Sequence, residues 1–125
     1  MIAQTGDQYW NTENGLSNDW ISDIIQDDDG YMWFATQYGL NCFDGYDFTH
    51  YAYEPNDINS LSANWVKSVC RDPHGQIWLG TFLGGVCKLD PASKTFKRFK
   101  LNKKNSPGSK TICDILCTQD GTIWV

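Results

Sequence analysis

The sequence predicts an all-β fold, an incomplete β-propeller of about two and a half four-stranded antiparallel blades. Three observations support this prediction. A pattern of Leu, Ser, Trp and Gly recurs about every 45 residues, and short runs rich in aromatic and β-branched residues alternate with turn-forming residues. No segment shows the periodicity of about 3.6 residues that an amphipathic helix has. A period of roughly 40 to 50 residues with four strands in each repeat is typical of propeller blades.

The repeat can be followed residue by residue. Residues 16–20 (LSNDW) return as residues 61–65 (LSANW), and residues 30–36 (GYMWFAT) return as residues 75–81 (GQIWLGT), both at an offset of 45. A third copy starts at Lys110 and has its tryptophan 46 residues after that of the second copy. We expect the recurring tryptophans to pack between neighbouring blades and the recurring glycines to form turns. These residues are Trp33, Trp78, Trp124, Gly30, Gly75 and Gly121.

Each complete copy divides into four candidate strands. In the first copy they span residues 20–26, 31–36, 39–43 and 48–53, and in the second copy residues 65–71, 76–81, 85–89 and 95–100. The predicted organisation is a leading segment at 1–14, blade 1 at 15–54, blade 2 at 60–101 and the first half of blade 3 at 110–125.

The leading segment contains a candidate strand, residues 8–10, in the place that the fourth strand occupies before the next copy. In a closed ring such a strand completes the last blade. Two and a half blades cannot close a ring that usually has about four to eight. The sequence therefore predicts an N-terminal piece of a longer receptor, with the remaining blades as partners. Its open blade faces predict self-association when the chain is isolated.

Composition and charge narrow the classes of partner. The chain has 125 residues, of which 41% are hydrophobic and 14% aromatic, as in a globular domain. A net charge of −5 argues against nucleic acid as a partner. The charge is uneven, at −11 for residues 1–66 and +6 for residues 67–125, and we interpret the two halves as neighbouring solvated surfaces. No apolar run approaches the roughly 18 residues of a membrane span, so we expect no membrane contact by this segment.

Residues suited to catalysis or metal binding are sparse. His50 and His74 lie in different repeats and lack the spacing of a zinc motif. Asp27, Asp29 and Gly30 match a calcium loop only in part, because the carboxylates of its first and last positions are missing. We therefore predict no catalytic residue, no metal and no cofactor.

The five cysteines are an odd number, so at least one is unpaired within the chain. Cys113 and Cys117 are four residues apart on a predicted strand, which separates them by about 13 Å and is too far for a disulfide. We expect the cysteines, including Cys42, Cys70 and Cys87, to be small buried hydrophobic residues.

Two stretches of the chain resemble a known repeat. Residues 27–44 read Asp-x-x-Gly-x-x-Trp-Phe-Ala-Thr-x-x-Gly-Leu-Asn-Cys-Phe-Asp. Residues 72–90 read Asp-Pro-His-Gly-Gln-Ile-Trp-Leu-Gly-Thr-x-x-Gly-Gly-Val-Cys-Lys-Leu-Asp. With residues 14–18, these stretches resemble the two-component regulator propeller repeat, and the resemblance extends over residues 8–125. Cys42 departs from the family pattern, which usually has a basic residue at this position.

The resemblance implies a function. Members of this family form the periplasmic input region of hybrid two-component sensors, in which propellers recognise glycan fragments and signal to a histidine kinase. For this chain, the resemblance implies a non-enzymatic sensing fragment with an oligosaccharide ligand, downstream sensor domains as partners and a periplasmic location. Two alternatives remain, a carbohydrate-active propeller enzyme and a protein-interaction scaffold. The scaffold would use the basic outer strand around Lys94, Lys97, Arg98, Lys100, Lys103 and Lys104.

A candidate binding face follows from propeller geometry. If the first strand is innermost, the segment leading into it and the connection between strands two and three emerge at the same face. An aromatic ring there can stack on the C–H face of a sugar while polar groups bind its hydroxyls. In the alternative interpretation, Trp20 and Trp65 only cap the core between blades. The candidate ligand-binding residues are Asn18, Asp19, Trp20, Gln37, Tyr38, Asn64, Trp65 and Phe82.

Overall fold

The computed structural model describes residues 3–6, 8–99 and 110–125, and no helix occurs within these ranges. A hairpin of β1 (Ala3–Thr5) and β2 (Gln8–Trp10) precedes two four-stranded sheets and a two-stranded third unit. Blade 1 contains β3 (Ile21–Gln26), β4 (Met32–Thr36), β5 (Gly39–Phe43) and β6 (Phe48–Tyr51). Blade 2 contains β7 (Val66–Arg71), β8 (Ile77–Thr81), β9 (Gly85–Asp90) and β10 (Thr95–Phe99). The third unit contains β11 (Leu116–Cys117) and β12 (Ile123–Trp124).

Both large sheets are antiparallel, and their strands lie side by side in chain order. This arrangement confirms the predicted all-β, partial-propeller fold. The strand bounds differ from the prediction by one or two residues. β6 ends at Tyr51 rather than Tyr53, because the backbone N–H of Tyr53 donates to Asn64 Oδ1 at 2.8 Å and the chain leaves the sheet there. Lys100, the predicted end of the last strand of blade 2, lies outside the described residues.

The first hairpin of each blade closes with the same turn. In blade 1, Asp27 Oδ1 accepts the backbone N–H groups of Asp29 and Tyr31 at 3.0 and 2.9 Å. Asp72 accepts the two equivalent N–H groups in blade 2. The turn requires a positive φ, which glycine adopts without a steric cost. The φ angles are 86°, 81° and 87° at Gly30, Gly75 and Gly121.

A β-bulge interrupts the pairing of the first two strands in both blades. It lies between Ile21 and Asp23 in blade 1 and between Val66 and Ser68 in blade 2. A bulge shifts the alternation of side chains by one residue. Val66 and Val69 consequently both belong to the core between the blades.

The largest core cluster of the described residues lies between blades 1 and 2. Trp33 and Leu40 of blade 1 share it with Ile77, Leu79 and Leu89 of blade 2. Trp33 is 2% exposed and the other four side chains are fully buried. The two sheets therefore pack face to face, as successive blades of a propeller do.

The N-terminal hairpin covers the other face of blade 1. Phe34 follows Trp33 in the strand and faces the opposite side, as strand alternation requires. It lies in a second cluster with Trp10 and Leu16. The predicted strand at residues 8–10 is present, and it pairs with Ala3–Thr5, a strand that we did not predict from the sequence.

The three recurring tryptophans differ in burial. Trp33 is buried, Trp78 is half-buried and stacks on Phe99 with ring centroids 5.1 Å apart, and Trp124 is 63% exposed. The expectation that Trp124 packs between blades stays a prediction. The described residues include no further sheet against its face of the third unit, so the indole is in contact with solvent.

Candidate ligand-binding face

The predicted site residues of blade 1 lie at the end of the sheet where β3 begins and β4 turns into β5. Asn18 Oδ1 accepts the backbone N–H of Trp20 at 2.8 Å, and the N–H of Gln37 donates to the carbonyl of Trp20 at 3.1 Å. These bonds join the segment leading into β3 to the β4–β5 turn. Trp20 and Tyr38 are 63% and 58% exposed, so both rings are accessible to a ligand.

Blade 2 has the same arrangement, but its aromatic rings are more buried. The backbone N–H of Phe82 donates to the carbonyl of Trp65 at 2.8 Å, and the two rings are 4.9 Å apart. Lys67 Nζ lies 4.7 Å from the Trp65 ring centroid. Trp65 Nε1 is buried and has no hydrogen-bond partner among the described residues. Because Phe82 and Lys67 cover its ring, Trp65 is half-buried.

One hydrogen bond connects these two groups of residues. The backbone N–H of Gly39, at the end of the blade 1 turn, donates to the carbonyl of Asn64 at 2.6 Å. A Cβ at Gly39 would lie 2.3 Å from the carbonyl oxygen of Tyr51, so only glycine permits this approach. The candidate residues of both blades therefore lie at the same end of their sheets, on either side of one seam. We call this surface the aromatic face.

The polar members of the aromatic face are less available than the sequence suggests. Asp19 accepts hydrogen bonds from the backbone N–H and the hydroxyl of Thr12 at 2.6 and 3.1 Å. Asn64 Oδ1 accepts the N–H of Tyr53 and Asn18 Oδ1 accepts that of Trp20. All three side chains thus have an oxygen engaged in local structure. The Nδ2 groups of Asn18 and Asn64 donate to no described residue.

The Asp–Gly turns lie at the opposite end of the sheets, beside a cleft between blades 1 and 2 that the sequence did not predict. The cleft has a volume of about 570 Å³, and its lining includes Asp27, Asp44, Tyr51, His74 and Asp90. The carboxylates of Asp44 and Asp90 already stabilise the fold, because they accept N–H groups of their own turns. No group of three or more His, Cys, Asp or Glu side chains within the described ranges is arranged to hold a metal ion.

Cys42 is the one thiol that lines this cleft. Burial, together with the nearby carboxylates of Asp27 and Asp44, raises the pKa of Cys42 to about 12. The thiol therefore stays protonated at neutral pH and is a poor nucleophile.

A chain of polar contacts crosses the first strands of all three repeats, and it was not recognised in the sequence. Asp23 Oδ2 accepts the Ser68 hydroxyl at 3.0 Å and the backbone N–H of Val69 at 2.9 Å. Ser68 Oγ is also 2.9 Å from Asp114 Oδ1, so its one hydrogen can bond either carboxylate, and the oxygen accepts the N–H of Ile115 at 3.3 Å. Residues 23, 68 and 114 are separated by the repeat offsets of 45 and 46. An alignment of the copies could therefore have identified this polar column.

The cysteine prediction needs correction at three positions. Cys70 and Cys117 form a disulfide, and Cys113 is exposed, whereas Cys42 and Cys87 are buried thiols. Spacing along one predicted strand excluded a bond between Cys113 and Cys117, but it says nothing about pairs between blades. The bond forms because the first strands of blade 2 and of the third unit lie side by side.

The basic outer strand proposed for a scaffold is partly engaged within the fold. Arg98 donates from Nε to the carbonyl of Ser60 at 3.1 Å and from Nη2 to the carbonyls of Asp57 and Leu61 at 3.0 and 3.1 Å. It thereby fixes the connection between the blades. Lys94 and Lys97 are exposed, and Lys100, Lys103 and Lys104 lie outside the described residues.

The fold and its repeats define a class of protein, a partial β-propeller built from four-stranded antiparallel blades. The two-component regulator propeller family matches residues 15–38 and 60–82, one segment at the start of each blade. The two matched segments contain every candidate residue of the aromatic face. A comparison with curated proteins gave no match.

Two solved structures are similar to this chain. It is 28% identical to BT3049 of B. thetaiotaomicron, described as the extracellular domain of a hybrid two-component system, with a TM-score of 0.78 over 98% of this chain. The chain spans 17% of that structure's length. A second structure, the extracellular domain of BT4673 from B. thetaiotaomicron, shares the fold at 24% identity and a TM-score of 0.54, over 64% of this chain and 11% of its own length. The described residues contain no helix long and apolar enough to cross a membrane.

Proposed function

We propose that this chain is a ligand-sensing propeller segment of a hybrid two-component sensor. In this proposal it lies in the periplasm, recognises oligosaccharides at the aromatic face, and belongs to a receptor that signals to a histidine kinase. The family repeats and the similarity to an extracellular domain of a hybrid two-component system support a sensory role outside the cytoplasm. The ligand class is argued from the aromatic face itself.

The observation that carries the proposal is the exposure of Trp20. Its indole is 63% exposed and the ring of Tyr38 is 58% exposed, although the backbone of both segments is hydrogen-bonded. A large aromatic side chain that the core does not need is available for stacking on a sugar ring. The amide Nδ2 of Asn18 adds a hydrogen-bond donor for a hydroxyl, because Asn18 Oδ1 is already bonded.

Trp20 and Trp65 have different expected roles in this proposal. Trp65 packs against Phe82 and lies under Lys67, so its replacement affects folding as well as binding. Trp20 has no ring partner within the described part of the chain. Trp20 is therefore the residue whose substitution reports on binding alone.

The proposal is tested by calorimetric titration of the full-length protein with a panel of neutral and acidic oligosaccharides. For a sugar that binds, Trp20→Ala should weaken affinity by about 30-fold, equivalent to about 2 kcal/mol, with little change in melting temperature. Tyr46→Ala is the matched control, because Tyr46 is an exposed aromatic residue, 92% exposed, at the opposite end of blade 1. Equal affinity of Trp20→Ala and wild type would contradict the assignment, as would a panel in which no sugar binds.

A further inference from the structure

One covalent bond crosses the seam between blade 2 and the third unit. Cys70 in β7 and Cys117 in β11 form a disulfide, with Cα atoms 5.7 Å apart. Both strands are the first of their repeats, so the bond joins the inner strands of consecutive units. We propose that this disulfide is a redox-dependent staple that forms in an oxidising compartment and keeps the third unit docked on blade 2. The proposal does not depend on oligosaccharide recognition.

The seam that the disulfide crosses has its own apolar cluster. Its buried side chains are Cys70, Val86, Ile112 and Ile115, and Cys117 packs against them. Both cysteines therefore belong to the contact between blade 2 and the third unit. A covalent bond between them restrains the two strands in addition to packing.

At one of its two ends, the disulfide occupies a repeat position that makes a non-covalent contact at the preceding seam. Cys117 lies 46 residues after Arg71, which is the offset between the second and third copies. Across the preceding seam, Arg71 forms an ion pair with Asp28 of blade 1. The same repeat position thus links neighbouring units by charge at one seam and by a disulfide at the next. A surface ion pair contributes little, whereas a disulfide restricts the unfolded chain.

The two buried thiols do not compete for this oxidation. Cys42 and Cys87 are buried, and burial raises the pKa of both thiols, so neither presents a thiolate. Cys113 is exposed but unpaired in the structure. The reaction is an exchange with an external disulfide. The thiols of Cys70 and Cys117 are oxidised to one S–S bond, while the donor disulfide is reduced to two thiols and takes up both hydrogens.

The location of similar proteins agrees with this chemistry. Disulfides persist in oxidising compartments and are rare in the cytosol. One similar structure, BT3049 of B. thetaiotaomicron, is described as an extracellular domain. The bond closes 47 residues of chain, which includes the whole of blade 2 after β7. Before oxidation, the third unit is expected to dock and undock. After oxidation, it stays docked.

Peptide mapping with differential alkylation tests whether the bond forms. Full-length protein exported to the periplasm of a host should yield a peptide that links Cys70 to Cys117 and disappears on reduction. Cys113 should be alkylated in the native protein, whereas Cys42 and Cys87 should react only after denaturation. Absence of the linked peptide from the exported protein would overturn the proposal.

Hydrogen exchange tests whether the bond holds the third unit. After treatment with a phosphine reductant, amides of residues 112–124 should exchange at least ~10-fold faster, while those of residues 21–51 should not change. Cys70→Ala/Cys117→Ala should show the same loss without reductant, and Cys113→Ala is the matched control that should behave as wild type. The reductant comparison requires no variant to fold. Equal exchange of residues 112–124 before and after reduction would overturn the staple. Sugar binding is not needed in either experiment, so the two proposals fail separately.

Discussion

Two buried or half-buried tryptophans are held by an aspartate six residues earlier in the chain. Trp33 Nε1 donates to Asp27 Oδ2 and Trp78 Nε1 donates to Asp72 Oδ2, both at 2.8 Å. The same carboxylates accept N–H groups of the Asp–Gly turns, so one side chain fixes a turn and the orientation of an indole. In the third copy Thr118 takes this position and bonds within its own turn. The exposed tryptophan is the one without the aspartate.

The Asp72 tether should make folding sensitive to acid. Partial burial opposes ionisation of Asp72, but hydrogen bonds from Trp78 Nε1 and from the N–H groups of Gln76 and His74 outweigh it and lower the pKa of the carboxyl. A pKa that is lower in the folded state contributes stability above the unfolded-state value of about 3.9 and loses it as pH falls through the folded-state value. At pH 6 to 7, the free energy of unfolding measured in urea should therefore be about 1 kcal/mol larger for wild type than for Asp72→Asn. The difference should shrink at pH values below about 4.

Asp47→Asn is the control for that comparison, because the Asp47 side chain accepts no hydrogen bond from a described residue. It should unfold like wild type at every pH. A difference between wild type and Asp72→Asn that stays constant down to about pH 2 would show that the tether does not depend on the charge of Asp72.

At the scale of the strands, the edge position of the first strand explains why the blades are linked by polar side chains. The first strand of blade 2 pairs with a neighbour on one side only, so every second backbone N–H points away from its own sheet. Asp23 Oδ2 of blade 1 accepts one of these groups, the N–H of Val69, at 2.9 Å. At the next seam, Ser68 Oγ accepts the N–H of Ile115 at 3.3 Å. A side chain of one blade thus caps a backbone N–H of the following unit.

Removal of this cap should destabilise the seam between blades 1 and 2. Asp23→Ala leaves the N–H of Val69 without its acceptor, at a cost of about 1 to 3 kcal/mol in the free energy of unfolding, while the Ser68 hydroxyl still has Asp114 as an acceptor. Asp23→Asn retains one acceptor oxygen and should lose less. Urea denaturation measures both, with Asp47→Ala as the exposed control. Equal stability of Asp23→Ala and the control would show that the cap contributes nothing.

The repeat made most strands predictable from the sequence. The contacts between repeats could not be predicted in this way. Strand positions follow from local patterns of aromatic and β-branched residues, and the Asp–Gly turns follow from local spacing. The engagement of Asn64 by Tyr53, and of Asp19 by Thr12, depends on how separate segments meet. The Cys70–Cys117 bond depends in the same way on two strands that are 47 residues apart. Sequence spacing within one strand contains no information about such pairs.

At the scale of the whole molecule, the third unit has an exposed apolar surface on its two strands. Leu116 and Trp124 are cross-strand neighbours, and they are 59% and 63% exposed. The adjacent Val125 is also 63% exposed. In blade 1, the equivalent pair of Ile25 and Trp33 packs against the next blade. We therefore expect the 125-residue chain to self-associate through this face.

Sedimentation velocity across a range of concentrations tests the association. Leu116→Glu/Trp124→Glu should shift the chain towards monomer, because the charges make burial of this surface unfavourable. Tyr46→Glu is a control at an exposed aromatic residue away from the third unit. A wild-type chain that sediments as a monomer at all concentrations, with a cooperative thermal transition, would contradict the expectation.

The central claim is that an oligosaccharide binds at the aromatic face and not in the acidic cleft at the other end of the blades. Hydrogen exchange of the full-length protein, with and without a sugar that binds in the calorimetric panel, tests this most directly. We predict added protection at residues 18–20, 37–38, 64–65 and 82, and unchanged exchange in the Asp–Gly turns at residues 27–31 and 72–76. Protection confined to those turns, or no protection in either blade, would contradict the claim.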